Sequence, residues 1–419
     1  MLPRCCGLLV VGLALAAPAL ARDLTLAEGE TLVQRNNREV RAARRATDSA
    51  DAQLIIAGMR PNATLSLNTT SISSNPGVGS GPLRDKFMDT TVRIDQPFER
   101  GDKRTLRLDA AGGLQRAAQN DSLDVLRQQL TAMRNAYYDL KQAQEKTQVL
   151  AETAGIYAGT LAAAQKRLSA GDLAPADVAR VQVDYERAQN DARAARAEVA
   201  RMQIDLGYVV GLENEASELR VVDPWPPAER ADPPAVAQAI EARPDVLAAK
   251  ARVEAAEKLR DLARAQRTRD VTIGAQYERY PGTIPENSVG LGVAIPLFTG
   301  NDYSGDVQKA EVDRFAALDA LARARTVAGN ELRRAAGDLN AAAERLERFE
   351  SSLLDAARRS AQASEFAFQR GAISVLEVLD SRRTLRAVQL EALAARTDYA
   401  KALSAWRASQ TTAQMLGGQ

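Results

Sequence analysis

The chain has 419 residues, with 55 Lys and Arg against 54 Asp and Glu and no histidine. A balance this even, with no basic tract, leaves no footprint for nucleic acid, and the missing histidine removes the commonest general base and metal ligand. At 26% charged and 4% aromatic the composition suits long packed helices, no catalytic motif accompanies it, and the expectation is a non-enzyme without a cofactor.

Arg4 precedes an apolar run that reaches Leu20, broken by Pro18, and Ala19-Leu20-Ala21 comes before the first acid, Asp23. This is the pattern of a secretory signal over residues 1–21, cleaved after Ala21. Its unbroken apolar stretch of about 10 residues falls short of the roughly 20 that span a bilayer as a helix. Both cysteines, Cys5 and Cys6, lie inside it, so the expected mature chain carries no thiol and no disulfide.

A helix is predicted over about Leu26 to Met59. Two stretches of period-two alternation follow: Ala63, Leu65 and Leu67, then Met88, Val92 and Ile94 set against Asp89, Thr91, Arg93 and Asp95. They read as strands on either side of the Gly, Ser and Pro-rich loop Ser73 to Pro82. From Asp102 to Leu168 there is no proline, and a 3,4-spaced apolar seam runs through Leu123, Leu126, Leu130, Met133, Tyr137 and Leu140 to Ala154, Ala158, Leu161 and Leu168. That predicts a rod about 100 Å long, stopped by a glycine turn at Ser169-Ala170-Gly171-Asp172. A returning helix is read from Val178, Val181, Tyr185, Ala188, Ala192, Ala195, Val199, Met202, Leu206 and Val209.

After the Pro-rich segment 223–234 the order starts again. Arg38–Thr70 aligns without a gap on Pro244–Gln276, and Asp89–Leu140 aligns on Ser288–Leu339, pairing Val40 with Val246, Leu65 with Val271 and Pro97 with Pro296. The expected organisation is a first repeat over 22–222, a linker over 223–234 and a second repeat over 235–419. The second copy predicts a helix over about Ala235 to Arg267 and strands over Val271 to Arg279 and Val289 to Leu297 around the loop Pro281 to Glu286. Its rod is marked by Leu332, Leu339, Leu346 and Leu353, each followed three residues later by Ala335, Ala342, Phe349 and Ala356, and its turn is Gln369-Arg370-Gly371-Ala372. A returning seam runs from Val378 through Ser381, Leu385, Val388, Ala392, Ala395, Tyr399, Ala402 and Trp406 to Ser409.

Strands of roughly 10 residues cross a bilayer when tilted, and Tyr277, Tyr280, Phe87, Phe98 and Phe298 fall near strand ends as interfacial aromatics do. Closure leaves no backbone group unpaired in lipid, yet a barrel needs about eight strands or more. Four strands per chain therefore imply that several copies pool them, and pool their rods beneath.

These residues resemble the TolC-like outer-membrane efflux proteins. The resemblance covers essentially the whole mature chain and rests on the duplication, the strand-strand-rod order, the strand exits Gln96-Pro97-Phe98-Glu99-Arg100-Gly101-Asp102-Lys103-Arg104 and Val293–Gly300, and above all the tip segment Gly371–Asp380. It implies an α+β membrane protein, a homotrimeric twelve-stranded β-barrel continuous with a periplasmic α-helical coiled-coil barrel, docked to an adaptor (membrane fusion) protein and an inner-membrane RND-type pump, and set in outer-membrane lipid. The first strand exit looks most like the outer-membrane components of cobalt-zinc-cadmium resistance systems, with Asp102 replacing the second of their two glycines. The implied function is a passive exit duct for heavy-metal cations. The alternatives are a duct for multidrug efflux or type I protein secretion and, in a different class, a periplasmic coiled-coil adaptor or a soluble scaffold.

By the same resemblance Glu377, Asp380 and Asp177 are candidates for an acidic ring at the pore constriction. Three copies of each would attract cations, and an acid near a helix start also suits the helix dipole. Gly171, Leu173, Gly371, Ile373 and Ser374 are the candidates for adaptor contact, with helix stopping as the plainer role of both glycines. Arg167 and Arg370 either satisfy terminal carbonyls or pair with the acids.

Overall fold

A computed structural model describes residues 22–70, 88–231, 236–280 and 286–417. The signal, the loop Ser73 to Pro82, the loop 281–285 and Phe87 lie outside them.

Two short strands, β1 (Arg22–Leu24) and β4 (Leu219–Val221), pair in parallel. The first predicted helix is two, α1 (Leu26–Asn36) and α2 (Arg38–Gly58). Thr25 and Glu28 form a capping box at the start of α1, and the break falls at Asn37, whose buried side-chain amide donates to the Val209 carbonyl at 2.8 Å and to Gln129 at 3.2 Å. Strands β2 (Thr64–Thr70) and β3 (Asp89–Phe98) lead into the rod α3 (Lys103–Ser169) of 67 residues, which returns as α4 (Pro175–Val210). The second set is α5 (Val236–Glu241), α6 (Pro244–Ala265), β5 (Val271–Tyr280), β6 (Glu286–Ala294), α7 (Ser304–Arg348), α8 (Leu354–Gln369), α9 (Val375–Ser409) and a short α10 (Ala413–Gly417).

These residues form two compact units, each drawing on both halves of the sequence. One comprises the chain up to Asn37, Gln129–Arg230 and Asp338–Ala405; the other comprises Arg38–Gln128, Ala231–Gly337 and the chain from Trp406.

The second unit holds the antiparallel sheet β2-β3-β5-β6. Register places Leu65 opposite Ile94, Ile94 opposite Ala275 and Ala275 opposite Leu291, with Leu67, Val92, Tyr277 and Val289 forming the next row on the same face. This apolar face is bare: Val289 is 81% exposed, Leu291 85% and Leu67 69%. The opposite face is polar, where Arg93 donates to Asp95 at 2.7 Å and to Gln276 at 2.8 Å, and Gln276 donates to Glu278 at 2.9 Å. Gly274 makes this possible, because a Cβ there would run into Asp95 Oδ1 and the Arg93 guanidinium. Alternation continues to Leu297, but the strand stops at Ala294, since pairing defines a strand and β6 has a neighbour on one side only.

The second predicted rod is corrected in one respect. Residues Phe349–Leu353 form a π-helical turn between α7 and α8, and Leu353 is 45% exposed while Leu354 is buried. The π turn absorbs one extra residue, so the buried seam runs on through Leu354, Ala357 and Ala361 instead of the expected Leu353 and Ala356. The shift sets Phe368 against the tip core in a register where the unshifted heptad would have brought Ala367.

The strand exit into α3 is a clamp. Gly101 and Asp102 both have positive φ, at +73° and +56°, which explains why two glycines suit this turn and why an aspartate, tolerant of the left-handed region, replaces one. Lys103 is buried and donates to the Thr268 carbonyl and to Asp270, each at 2.8 Å. Arg104 donates to the Gly58 carbonyl at 2.6 Å, and Arg107 grips Glu99 at 2.7 Å while capping Ala57 and Met59. Arg104 and Arg107 close the carbonyl end of α2, Arg107 ties strand to rod through Glu99, and Lys103 ties the start of the rod to the segment before β5.

Candidate functional site

The hairpin ends carry every site residue read from the sequence, and all lie in the first unit. At both turns the chain makes the same paired bonds. The Gly171 amide donates to Leu168 at 3.0 Å and the Asp172 amide to Arg167 at 2.9 Å; Gly371 donates to Phe368 and Ala372 to Ala367, each at 2.9 Å. These are Schellman endings with glycine in the left-handed region, at φ +82° and +73°. Nothing lies within 4 Å of where a Cβ would stand on either glycine, so conformation and not crowding selects the residue.

The returning helices start on different devices. α4 has Pro175 in its first turn and no side-chain cap, whereas α9 is capped by Ser374, which accepts from the Glu377 amide at 3.4 Å and donates to its carboxylate at 3.2 Å. Leu173 packs on a core of Tyr157, Ala164, Val178, Val181, Ala188, Val375 and Leu379, which brings the starts of α4 and α9 together. Ile373 is half-buried, while Gly171, Gly371 and Ser374 are exposed.

Asp177 lies in the first turn of α4, 3.5 Å from Arg180; Glu377 and Asp380 stand exposed one turn apart on α9. The fold thus gathers the three acids at one end of the hairpins, with Glu377 also part of its helix cap. Arg167 and Arg370 follow neither expected course: each guanidinium lies over a ring, Arg167 over Phe368 at 5.4 Å and Arg370 over Phe366 at 4.6 Å.

Just behind the acids runs a set of contacts that the sequence reading missed. Arg383 of α9 reaches the buried carboxylate of Asp184 on α4 at 2.6 Å, Arg386 reaches Asp191 at 2.9 Å, and Arg382 bonds Thr160 of α3 at 2.6 Å and pairs with Glu365 of α8. Burial, and then the charge of Asp184, lift the Tyr157 hydroxyl above its ordinary range. The available signal was an acid beside the apolar seam, Asp184 next to Val181 and Tyr185, facing three arginines within five positions on the matching helix. Among the described residues no group of three or more His, Cys, Asp or Glu is placed to hold a metal ion, and no helix is long and apolar enough to cross a membrane.

The sequence profile of outer membrane efflux proteins matches residues 31–212 and 235–409. The chain belongs to the outer membrane efflux protein family. Within its range of relatives it is similar to the cobalt-zinc-cadmium resistance protein CzcC of Cupriavidus metallidurans, 26% identical over 374 residues that cover 87% of this chain and 84% of that one. Its fold is similar to the outer membrane protein VceC of Vibrio cholerae, with a TM-score of 0.75 at 18% identity over 92% of this chain and 96% of that one. CusC, described for its transmembrane channel formation, gives a TM-score of 0.76 at 17% identity, covering 92% and 91%. The efflux-family fold is that of a TolC-like outer membrane channel, and the paired hairpin ends are the part of it that carries the candidate acids.

Proposed function

We propose that this efflux-family chain is the exit duct of a tripartite system, conducting heavy-metal cations passively from a periplasmic adaptor and inner-membrane RND-type pump to the exterior. The observation that supports it most is the two-faced sheet. A row of exposed valine and leucine side chains on one face, a polar network on the other and an unpaired edge at each side suit a strand array that faces lipid outward and closes by adding copies. Three chains contribute twelve strands, the rods continue as a helical tunnel, and the two halves of each chain act as quasi-equivalent units. No chemical step is required of the chain.

At the tunnel tip, Asp177, Glu377 and Asp380 repeated by the trimer form acidic rings that favour cations at the narrowest point. Gly171, Leu173, Gly371, Ile373 and Ser374 form the surface offered to the adaptor. Metal as the substrate is supported by the likeness to a cobalt-zinc-cadmium resistance protein. The strand-exit motif adds nothing to that, because its Lys103 and Arg104 are engaged in structural contacts, Lys103 with Thr268 and Asp270 and Arg104 with the Gly58 carbonyl.

The test is single-channel conductance of the purified protein in planar bilayers, with Glu377→Ala plus Asp380→Ala beside the wild type. The reading expects discrete cation-selective steps that widen or lose selectivity in the double variant. Unchanged steps would move the constriction elsewhere, and failure to insert would overturn the duct.

A further inference from the structure

Two cavities adjoin at the foot of the four-stranded sheet, both inside the second unit. One, of 630 Å³, is a groove between α2, α3 and α6 that runs over Ala57 and Ala110 and is walled by Ile56, Met59, Leu114 and Leu259. The other, of 910 Å³, lies among the residues before β2, the end of β3 and the entry to α3, and is lined by Arg60, Arg100 and Arg104. Arg60, Pro61 and Glu99 line both, so the two are continuous. We infer that together they bind one anionic phospholipid, its phosphate among the three arginines and an acyl chain in the groove. The inference rests on the membrane-spanning sheet proposed above and gives it a specific ligand.

Charge selects the headgroup. Arg60, Arg100 and Arg104 are exposed, and among the described residues no carboxylate pairs with any of them. Arg104 bonds the Gly58 carbonyl through Nε at 2.6 Å, and Arg100 is held by its backbone amide, which donates to Asp270 at 2.9 Å. Of the two acids that line the basic cavity, Glu99 is taken by Arg107 at 2.7 Å, which leaves Asp102 against three guanidiniums, the groups whose planar fork matches a phosphate. The groove beside them selects an amphiphile over free phosphate. Ile56, Met59 and Leu114 are 56%, 57% and 47% exposed there, an apolar lining left in water, and both volumes fall within the roughly 300–1,000 Å³ of small-molecule sites.

Position selects a membrane lipid. Alternation puts Gln96 and Phe98 on the face of β3 that carries Ile94, the bare apolar face, and both line the basic cavity, where Gln96 also bonds the Pro61 carbonyl at 3.0 Å. The cavity therefore borders that face at its end toward the rods, the level at which the phosphates of a leaflet meet a spanning sheet.

The duplication supplies an internal control. With the halves aligned as above, Arg60, Arg100 and Arg104 fall on Gln266, Thr299 and Tyr303, and Leu114 falls on Asp313. The second copy builds the same order of helix, strands and rod with no cation at those three positions and an acid in place of the leucine, so the fold does not require them.

The experiment titrates palmitoyl-oleoyl phosphatidylglycerol or phosphatidylcholine into the full chain in detergent and counts bound lipid by native mass spectrometry. The variants take their residues from the second copy: Arg60→Gln plus Arg100→Thr, which removes two charges and keeps the Arg104 contact with α2, and Leu114→Asp. Each arginine beside an anionic headgroup contributes about fivefold in affinity, so the wild type is expected to retain phosphatidylglycerol in preference and the double variant to bind it about 25-fold more weakly while holding phosphatidylcholine unchanged. Leu114→Asp is expected to lose both lipids. Equal retention of the two lipids by the wild type, a preference that survives the double variant, or unchanged binding in Leu114→Asp overturns the site, and the comparison of lipids on the wild type stands without either variant. Planar bilayers separate the failures: a wild type that conducts without the lipid preference leaves the duct standing, and one that never inserts overturns both.

Discussion

Arg383→Ala is expected to loosen the hairpin ends more than Asp184→Ala, although both delete the same ion pair. Only 7% of the Asp184 side chain is exposed, and it accepts from Arg383 at 2.8 and 2.6 Å, whereas 47% of the Arg383 side chain is in water. Removing the arginine strands a carboxylate against the Tyr157 and Val181 core. For a fully buried pair that costs ~3–5 kcal/mol, and the solvent already around Arg383 reduces it here to about 2 kcal/mol. Removing Asp184 instead leaves a guanidinium that water takes over, at about 0.5–1 kcal/mol. Hydrogen exchange at the α4 amides between Val178 and Ala188 measures the difference locally. A loss of about 2 kcal/mol means roughly 30-fold faster exchange in Arg383→Ala, against a few-fold in Asp184→Ala, with Arg383→Lys between them. Equal losses, or a larger one for Asp184→Ala, would show that burial of the carboxylate does not govern this contact.

Gly101→Ala is expected to destabilise more than Gly371→Ala. Both glycines have φ +73°, a strain of about 1–2 kcal/mol for alanine, but only at Gly101 does the new Cβ also meet Thr268, at 2.9 Å, and thermal unfolding in detergent should rank them so. Deleting Ser351 should convert the π turn to regular helix while keeping Leu346, Leu354 and Ala357 on one seam, so the deletion folds with wild-type helicity by circular dichroism. Deleting Arg358, beyond the turn, should not, and equal damage from both would sink the one-residue account. Tyr157 has a raised folded value, so the stability it carries is intact below the unfolded value near 10.0 and is lost as pH climbs from there toward the folded one. Tyr157→Phe should therefore lose less melting temperature than wild type between pH 9 and pH 11, and a parallel loss would contradict it.

The two rods, their glycine stops and the alternating strands were legible because each is a local pattern repeated over many residues. The seam from Val178 to Val209 is buried or half-buried throughout, and both turn glycines occupy the left-handed region. The break at Asn37 was not legible, since its amide is satisfied by Gln129 and Val209, far away in sequence. Nor was the role of Lys103, Arg104 and Arg107, each of which bonds a backbone carbonyl that leaves no trace in composition, beside the carboxylates of Asp270 and Glu99 that Lys103 and Arg107 also hold.

By itself the sequence determined which stretches are helix or strand, which face of each is apolar, and the order in which they recur, because periods of 3.6 and 2 are properties of a single segment. The tertiary structure alone decided which acid is buried, at Asp184, which of two adjacent leucines enters the seam, at Leu354, and where pairing ends, at Ala294. Those outcomes depend on what a residue meets across space, and a segment's own periodicity does not specify its neighbour.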